Sequence, residues 1–404
     1  MLSTRPPLAA GLSAVGALLA VGALLTGCAS FPDQPPPPSW TEPVPLTPQG
    51  GPAPQGPAGS DGGAGPEQRQ QAPSSIPPPN GCTDFHPTVI ATCLTDLTAV
   101  AAIPGTEANP VGLVAERLTG RVLRVQKDQP PAVVATLSVD TTTPDGGLTG
   151  LALSPNYLED QLIFAYLTTP TDNRLVRVAA GDAPKAVLTG IPRGASGNRG
   201  TLALDHRGAL LLATGDAGNP ALAADPASLA GKLLRLDSGG LAATGNPTAT
   251  SPVVATGVRS PGGVCASLDG SRIWLTDRLP GQDVLYRVTF GGALGAPAWA
   301  WPERPGVAGC ASVPTAVSVV TGVAGDMRQL QVAPDGTITG SPQISLAAPD
   351  GFGRYGGLDL LTDRVALAGT VNKDASVADA APISSDDRAV LLVVAGGAGG
   401  GGPD

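Results

Sequence analysis

Aromatic and charged residues are both scarce in this chain of 404 residues. Only 3% of the residues are aromatic and 14% are charged, whereas roughly a quarter of a typical globular chain is charged. This scarcity argues against coiled coils and long helical bundles, which carry many surface ion pairs. Acidic residues outnumber basic ones, 33 to 24, and the formal net charge is -9. Because no basic field is present to attract a phosphate backbone, we expect no nucleic-acid partner.

Histidine is scarcer still, since His86 and His206 are the only two. Four cysteines remain when Cys28 is set aside, and none of them has the close spacing that zinc ligands show. A zinc site is therefore the weaker alternative for these cysteines. An even number of cysteines in an exported protein predicts disulfides instead. Of the three possible pairings we favour Cys82–Cys93, which closes a short loop, together with Cys265–Cys310.

Residues 1–27 have the pattern of a secretory signal peptide. Arg5 precedes an uncharged apolar run over residues 8–25, and small residues follow it. The run is about 18 residues long, so an uncleaved membrane anchor is the alternative. The sequence Leu25-Thr26-Gly27-Cys28 resembles the bacterial lipobox, which implies cleavage before Cys28 and attachment of acyl chains to it. Two or more acyl chains hold a protein firmly on a bilayer. We expect a lipoprotein on the extracytoplasmic face of the cell membrane.

Glycine and proline are abundant, with 55 and 43 residues, and their positions outline the domains. Sixteen prolines fall between Ala29 and Asn80, in a segment too poor in apolar side chains to offset its ordering entropy. We predict that residues 28–80 are a disordered tether. A proline-rich ligand for a partner is the alternative function of this segment. Residues 396–404, which are rich in glycine, are expected to be a flexible tail.

The body of the chain, residues 81–395, is predicted to be all-β. Short segments rich in Val, Leu, Ile and Thr recur between turn residues, and a helix is expected only around residues 226–231. A unit of apolar strand and tight polar turn begins near Leu151, Leu202, Val264, Leu330 and Leu358. Successive units are spaced by about fifty residues, a period typical of propeller blades. We predict a six-bladed β-propeller, with a pair of β-sandwiches as the alternative.

Several motifs of this body resemble the soluble quinoprotein glucose/sorbosone dehydrogenases. They are the run LVAERLTGRVLRV from Leu113, the run GGLTGLALSPNY from Gly146, the segments 200–216 and 257–263, and Trp299-Ala300-Trp301-Pro302. They occur in the family's order and cover most of the predicted propeller. Segments 171–174 and 305–310, with the signal and the tether, are similar to mycobacterial-type envelope lipoproteins. The resemblance implies a propeller that oxidises an aldose with pyrroloquinoline quinone (PQQ) and calcium over its central face.

The resemblance assigns the catalytic positions only in part. The family uses a histidine that takes the proton of the sugar's anomeric hydroxyl while hydride moves to the quinone. The matching place here, near Gly197-Asn198, has no imidazole, and His206 lies on the following turn, where we expect it to be solvated. Asp216 matches the aspartate that orients the family's histidine. Asp216 and Asp145 are the candidate replacement bases, and a turn cap is the structural alternative for Asp216.

The cofactor and metal positions are matched unevenly. Arg259 corresponds to a family arginine that contacts quinone or substrate, and arginine suits the three carboxylates of PQQ. Asp145 and Lys373 are the further candidate cofactor contacts. Asp283 is the one acid in the segment that corresponds to the family's calcium site, so a calcium site with several oxygen ligands is in doubt.

Two classes of function follow from these residues. The first is a membrane-anchored, PQQ-dependent sugar dehydrogenase with Asp145 or Asp216 as base. The second is a non-catalytic propeller that binds a cell-wall glycan, a small ligand or an envelope protein. Trp299 and Trp301 are candidates for stacking on a sugar, with packing between blades as the alternative.

Overall fold

The computed structural model describes residues 76–373 and 386–394. These residues form 25 strands and two short helices, and the strands make six sheets. The all-β, six-bladed β-propeller is thereby confirmed, and the pair of sandwiches is not the fold. The signal peptide, Cys28, most of the predicted tether and the predicted tail lie outside the described residues. In the described part of the chain, no helix has the length and apolarity needed to cross a membrane.

Each blade is one antiparallel sheet whose strands follow the chain from the axis outward. The chain begins with β1 (Val89–Leu94), and the first blade follows with β2 (Leu97–Ala102), β3 (Val111–Glu116), β4 (Arg121–Gln126) and β5 (Ala132–Thr136). The second blade contains β6 (Leu148–Leu153), β7 (Ile163–Thr168), β8 (Asn173–Val178) and β9 (Lys185–Ile191), with helix α1 (Tyr157–Asp160) between β6 and β7.

The third and fourth blades share one irregularity. The third contains β10 (Gly200–Leu204), β11 (Leu210–Thr214), β12 (Lys232–Leu236) and β13 (Val253–Thr256), with helix α2 (Pro220–Ala224) between β11 and β12. The fourth contains β14 (Pro261–Ala266), β15 (Ile273–Arg278), β16 (Asp283–Arg287) and β18 (Trp299–Trp301). The loop between β16 and β18 contains β17 (Gly292–Ala293). This short strand belongs to the third blade, where it pairs in parallel with the outer strand β13.

The last two blades complete the ring. The fifth contains β19 (Val307–Val313), β20 (Ala316–Thr321), β21 (Met327–Val332) and β22 (Ile338–Ser345). The sixth contains β23 (Tyr355–Leu360), β24 (Val365–Thr370) and β25 (Asp387–Val393), and its outermost strand is β1 from the start of the body. The innermost strands touch one another in the order β2, β6, β10, β14, β19 and β23, and β23 returns to β2.

Six apolar clusters lie between the blades, one at each of the six junctions. The sixth junction, between the closing blade and the first, packs Leu94 and Leu97 with Leu367. Alternating apolar residues give each sheet two buried faces, so every blade contributes to two clusters. A ring built in this way buries its apolar area without a single large aromatic core, which agrees with the low aromatic content.

Both favoured disulfides are present in the structure. Cys82 and Cys93 join the segment before β1 to β1 itself, and their Cα atoms are 5.2 Å apart. Cys265 and Cys310 link the innermost strands β14 and β19 across a Cα distance of 5.7 Å. The second disulfide therefore ties the fourth blade to the fifth near the axis.

The helix expected around residues 226–231 is displaced toward the N-terminus. Helix α2 begins after Asn219, whose side chain accepts a hydrogen bond from the Ala221 N–H, and it has Pro220 in its first turn. Both features favour a helix start. Gly231 has a φ of 68°, a left-handed value that a helix does not accommodate. Turns therefore occupy the predicted segment.

In three of the blades, the first residue of the third strand is polar and forms hydrogen bonds to the loop that leads into the next blade. Asp283, the first residue of β16, accepts hydrogen bonds from the Gly306 N–H at 2.6 Å and the Val307 N–H at 3.0 Å. Asp387, the first residue of β25, accepts one from the Asp96 N–H at 2.6 Å. Asn173, the first residue of β8, donates to the Pro192 carbonyl at 2.8 Å. These bonds anchor the loops that lead into the following blades.

We predict that Asp283 stabilises the fold rather than holding a metal ion. Asp283 is 1% exposed, so Asp283→Ala leaves two buried N–H groups unpaired and should lower the free energy of unfolding by about 2–4 kcal/mol. Asp283→Asn keeps one acceptor oxygen and should cost less. The measurement is chemical denaturation, and the control is Asp335→Ala in an exposed turn. A calcium-dependent stability that disappears in Asp283→Ala, with no loss in calcium-free buffer, would contradict the prediction.

Candidate functional site

The candidate site lies at the upper face, defined here as the face where the innermost strands begin. Asp145 precedes β6, residues 194–199 precede β10, and Arg259 precedes β14. Asp216 follows β11 and therefore reaches the same face from the second strand of its blade. The antiparallel order of each blade brings these loops together, because an inner strand begins where the second strand ends.

Asp216 and Arg259 form an ion pair that joins the third and fourth blades. Arg259 Nε lies 2.5 Å from Asp216 Oδ2, and Asp216 Oδ1 accepts a hydrogen bond from the Gly218 N–H at 2.8 Å. The Asp216 N–H donates to the Arg259 carbonyl at 2.9 Å. Asp216 is buried, whereas a third of the Arg259 side chain is exposed. The carboxylate is thus engaged on both oxygens, and the arginine presents its outer edge to solvent.

Gly197, in the segment 197–198 where the family resemblance would place a histidine, lies directly against Asp216. A Cβ atom at Gly197 would be 2.7 Å from Asp216 Oδ1 and 2.6 Å from the Gly218 nitrogen. Its φ of 68° is left-handed, which glycine adopts freely and other residues rarely adopt. Asp216 is therefore placed to contact a side chain at this position, but the loop as folded has no room for one.

Asp145 meets the same loop through Asn198. Asp145 Oδ2 accepts a hydrogen bond from the Asn198 N–H at 2.9 Å, and the buried Asn198 amide also donates to Thr143 Oγ1 at 3.1 Å and accepts from Asn173. The loop at 197–198 thus contacts Asp145 through Asn198 and Asp216 through Gly197. Arg259 is joined to this group through its ion pair with Asp216. Of the predicted site residues, these three lie together.

Lys373 lies apart from them. It is in the loop between β24 and β25, and its Nζ donates to the Leu94 carbonyl at 2.7 Å and to Asp386. Leu94 ends β1, the outermost strand of the sixth blade, so the ammonium group is directed to the periphery. There it joins the closing strand to its neighbour, because Asp386 also accepts hydrogen bonds from Thr92 and from the Cys93 N–H.

Arg199 is the residue of this face that the sequence did not reveal. It follows Asn198, is 9% exposed, and extends toward the start of β14, where its Nη2 lies 3.5 Å from the Gly262 carbonyl. Its Nε has no hydrogen-bond partner among the described residues. Burial, followed by repulsion from Arg278 and Arg117, lowers the pKa of Arg199 to about 9. The guanidinium is therefore still charged at neutral pH, in a place where an anion would stabilise it.

A buried carboxyl group lies beneath Arg259. Asp277 accepts hydrogen bonds from the Arg259 N–H at 2.9 Å and the Ser260 N–H at 2.6 Å. Burial nevertheless raises the pKa of Asp277 to about 6. Asp277 holds the backbone of Arg259 and Ser260 in place. The raised pKa of the Asp277 carboxyl group is caused mainly by burial in the protein.

The upper face fits the carboxylates of PQQ better than it fits calcium. Two described arginines of this face could bind them, Arg199 with an unpartnered Nε and Arg259 with a third of its side chain exposed. By contrast, in residues 76–373 and 386–394 no group of three His, Cys, Asp or Glu side chains is arranged to hold a metal ion. The Asp283 carboxylate is used by two backbone N–H groups. The donor set therefore suits an organic anion.

The histidines and tryptophans lie elsewhere. His206 is in the turn after β10, at the opposite end of the innermost strand, and His86 packs edge-to-face on Phe352 with ring centroids 5.0 Å apart. Trp301 is 3% exposed in the cluster between the fourth and fifth blades, and Trp299 packs against that cluster. Both tryptophans belong to the outer strand β18, so they contribute to packing between blades.

The fold is a six-bladed β-propeller, and the candidate residues Asp145, Asp216 and Arg259 lie on its upper face. A family model described as glucose/sorbosone dehydrogenase matches residues 99–305, about half of the chain, and the chain belongs to this family. No curated protein sequence matches the chain.

Solved structures support the same grouping. The PQQ-bound aldose sugar dehydrogenase of Streptomyces coelicolor is 25% identical, with 78% of this chain and 100% of that chain covered and a TM-score of 0.67. An oxidoreductase of Thermus thermophilus, described as a glucose dehydrogenase, is 25% identical over 75% of this chain and 98% of that chain, with a TM-score of 0.65. The soluble aldose sugar dehydrogenase of Escherichia coli, 19% identical with a TM-score of 0.60 over 75% of this chain and 98% of that chain, shares the fold.

We predict that any side chain at position 197 lowers the stability of the fold. Gly197→Ala should lower the free energy of unfolding by about 2–4 kcal/mol, because a left-handed backbone and a clash with Asp216 add together. Gly181→Ala is the matched control, since Gly181 has a φ of 80° and a Cβ atom there would meet nothing within 4 Å, and it should cost about 1 kcal/mol. Thermal and chemical denaturation provide the measurement. Equal losses for the two variants would show that the loop adapts and that a histidine could be accommodated there.

Proposed function

We propose that this chain is an envelope propeller that binds a planar polycarboxylate of the PQQ class at the upper face. The observation that carries the proposal is the buried Arg199 guanidinium, which is charged and has an Nε without a described partner. Arg259 lies on the neighbouring loop and has an exposed edge. Two arginines from adjacent blades suit a ligand with several carboxylates, because each guanidinium can form a charge-assisted, two-point contact.

The proposed role is binding without the family's histidine-dependent oxidation. When bound, PQQ supplies an acceptor for hydride from an alcohol or aldose. The chain's own contribution to that reaction would be a base beside the substrate. At Gly197 there is no side chain to act as one, and the Asp216 carboxylate is already held by Arg259 and the Gly218 N–H. A bound polycarboxylate could still serve as the recognised ligand or as part of a sugar-binding surface.

Sugar oxidation is the second candidate, and one contact favours it. Asp216 Oδ1 lies beside the position that corresponds to the family's histidine, so its carboxylate is the described acid nearest to the expected reaction site. If Arg259 turned toward the ligand, Asp216 would be released to accept a proton. The similarity to the PQQ-bound aldose sugar dehydrogenase of Streptomyces coelicolor supports this candidate at the level of the family.

The binding proposal predicts saturable PQQ binding that depends on Arg199. The variant Arg199→Gln removes the charge but keeps hydrogen-bonding capacity, and it should weaken PQQ binding about tenfold or more, because a charge-assisted bond is lost. The control is Arg124→Gln on the exposed edge of β4, bonded only to Gln126 among described side chains, which should bind PQQ as the unaltered chain does. Absorbance titration and calorimetry measure both. No binding of PQQ at micromolar concentration contradicts the proposal.

The same samples separate binding from oxidation. We expect no dye reduction by the PQQ-loaded chain with an aldose panel, in the presence or absence of calcium. Sugar-dependent dye reduction that Asp216→Asn abolishes, with PQQ binding retained, would replace the binding proposal by the second candidate.

We also propose that Cys28 anchors the chain to the membrane through attached acyl chains such as palmitate. The support is the lipobox resemblance of Leu25-Thr26-Gly27-Cys28 after an apolar run. In a bacterial host that processes lipoproteins, the mature chain should partition into detergent, and Cys28→Ser should leave it in the aqueous fraction. Ser30→Ala is the control. Mass spectrometry of the N-terminal peptide tests the modification directly, and an unmodified Cys28 in membrane-bound protein would favour an uncleaved anchor.

A further inference from the structure

A cavity of about 480 Å³ opens at the lower face, defined here as the face where the innermost strands end. All six innermost strands contribute to its wall, through residues such as Ala102, Leu153, Leu204, Ala266 and Leu360. This volume lies in the range of about 300–1,000 Å³ that small-molecule sites occupy. The cavity is at the other end of the axis from Arg199 and Arg259, so nothing in the proposed function uses it.

The wall is largely apolar, and two of its polar groups lie on neighbouring strands. Asp359 of β23 lines the cavity, and its Oδ2 accepts a hydrogen bond from the Ala102 N–H at 2.8 Å, which fixes the carboxyl group in the wall. Ser312 of β19 also lines the cavity, and its hydroxyl is buried with no hydrogen-bond partner among the described residues. An apolar pocket with a few convergent polar groups is the usual form of a ligand site.

The charges at this site have one sign. Asp359 in the wall and Glu159 at the mouth are acidic, and no lysine or arginine is among the described residues that line the cavity. His206 also lines it, and burial lowers the pKa of that imidazole, so it is uncharged at pH 8. Burial raises the pKa of Asp359 to about 6, with no nearby cation to oppose the effect. At neutral pH the carboxylate is therefore ionised in an apolar setting without a counter-charge, a state that a cationic ligand would stabilise.

The mouth is apolar as well. Leu158 of α1 is 69% exposed and Leu268 is 44% exposed, and both line the opening. Exposed leucines at the rim of a cavity extend its apolar surface outward. A ligand with a flexible hydrocarbon chain could therefore place its polar end at Asp359 and lay its chain along the wall to the rim.

We propose that the lower-face cavity binds an apolar amine, with the ammonium group on Asp359 and Ser312 and the hydrocarbon chain against the leucine-lined wall. Each wall residue buried by the ligand adds to the affinity through removal of apolar surface from water. The acidic wall selects against anions of the same shape by like-charge repulsion. The proposal is independent of the upper-face site.

Three probes with one hydrocarbon chain test the head group: octylamine, octanol and octanoate. They are titrated into the purified full chain at pH 8 in detergent-free buffer, with calorimetry as the readout. We expect octylamine to bind at least about tenfold more tightly than octanol, and octanoate to bind more weakly than both. Binding of octanoate as tight as that of octylamine, or binding of none of the probes, would overturn the proposal.

Two variants and one control identify the site. Asp359→Asn should weaken octylamine binding about tenfold and leave octanol binding within about twofold, because only the charge is removed. Ala203→Phe, at a partly exposed wall position, should fill the cavity and abolish binding of both probes while thermal unfolding shows a folded protein. The control is Asp182→Asn, an exposed acid in the turn between β8 and β9 that does not line the cavity, which should change neither affinity by more than about twofold. Unchanged octylamine binding in Asp359→Asn or in folded Ala203→Phe would refute the assignment.

Discussion

The pairing of β1 with β25 is the interaction on which the rest of the structure depends. It brings residues from the two ends of the body into one blade, with Val89 opposite Val390 and Leu94 opposite Asp387. Hydrogen bonds from the Asp96 N–H to Asp387 and from the Ala102 N–H to Asp359 also join the last blade to the first, and an open ring would expose two apolar blade faces. Lys373, Asp386 and the Cys82–Cys93 disulfide surround this same junction. Lys373, which the family resemblance suggested as a cofactor contact, is thus among the polar groups at the closure.

Closure also determines how the two ends of the axis differ. At the upper face, the loops between blades must pair their backbone N–H groups, and carboxylates such as Asp277, Asp283 and Asp387 accept them. At the lower face, the Asp205 carboxylate accepts hydrogen bonds from the Arg207 and Ala209 N–H groups within one turn. The cavity wall at this face is largely apolar, and Asp359 is the acidic residue within the wall.

Much of the fold could be predicted from the sequence because strand and turn signals are local. Strand β3, with the sequence VGLVAE, is one of the short apolar segments that recur between turn residues. Four of the five recurring units begin on innermost strands, but the unit at Leu330 lies on β21, the third strand of its blade. A strand followed by a tight polar turn looks the same in either place, since only the packing of neighbouring blades distinguishes them. The lower-face cavity could not be predicted for the same reason, because the leucines that line it have the sequence pattern of ordinary core residues.

The candidate site was predicted less completely, because a functional position can be matched in sequence while its contacts change. Asp145, Asp216 and Arg259 do lie together, around the loop that contains Gly197 and Asn198. Arg199 was not predicted, because no sequence pattern distinguishes it from a surface arginine. Its importance depends on the burial of its guanidinium and on the unpartnered Nε, which only the structure shows. The left-handed backbone of Gly197 and the atoms of residues 216–218 beside it leave no room for a side chain there without a change in the loop. Because Arg199 and Arg259 on the same face carry positive charge, this arrangement supports the proposal of anion recognition more than it supports proton transfer by a residue at position 197.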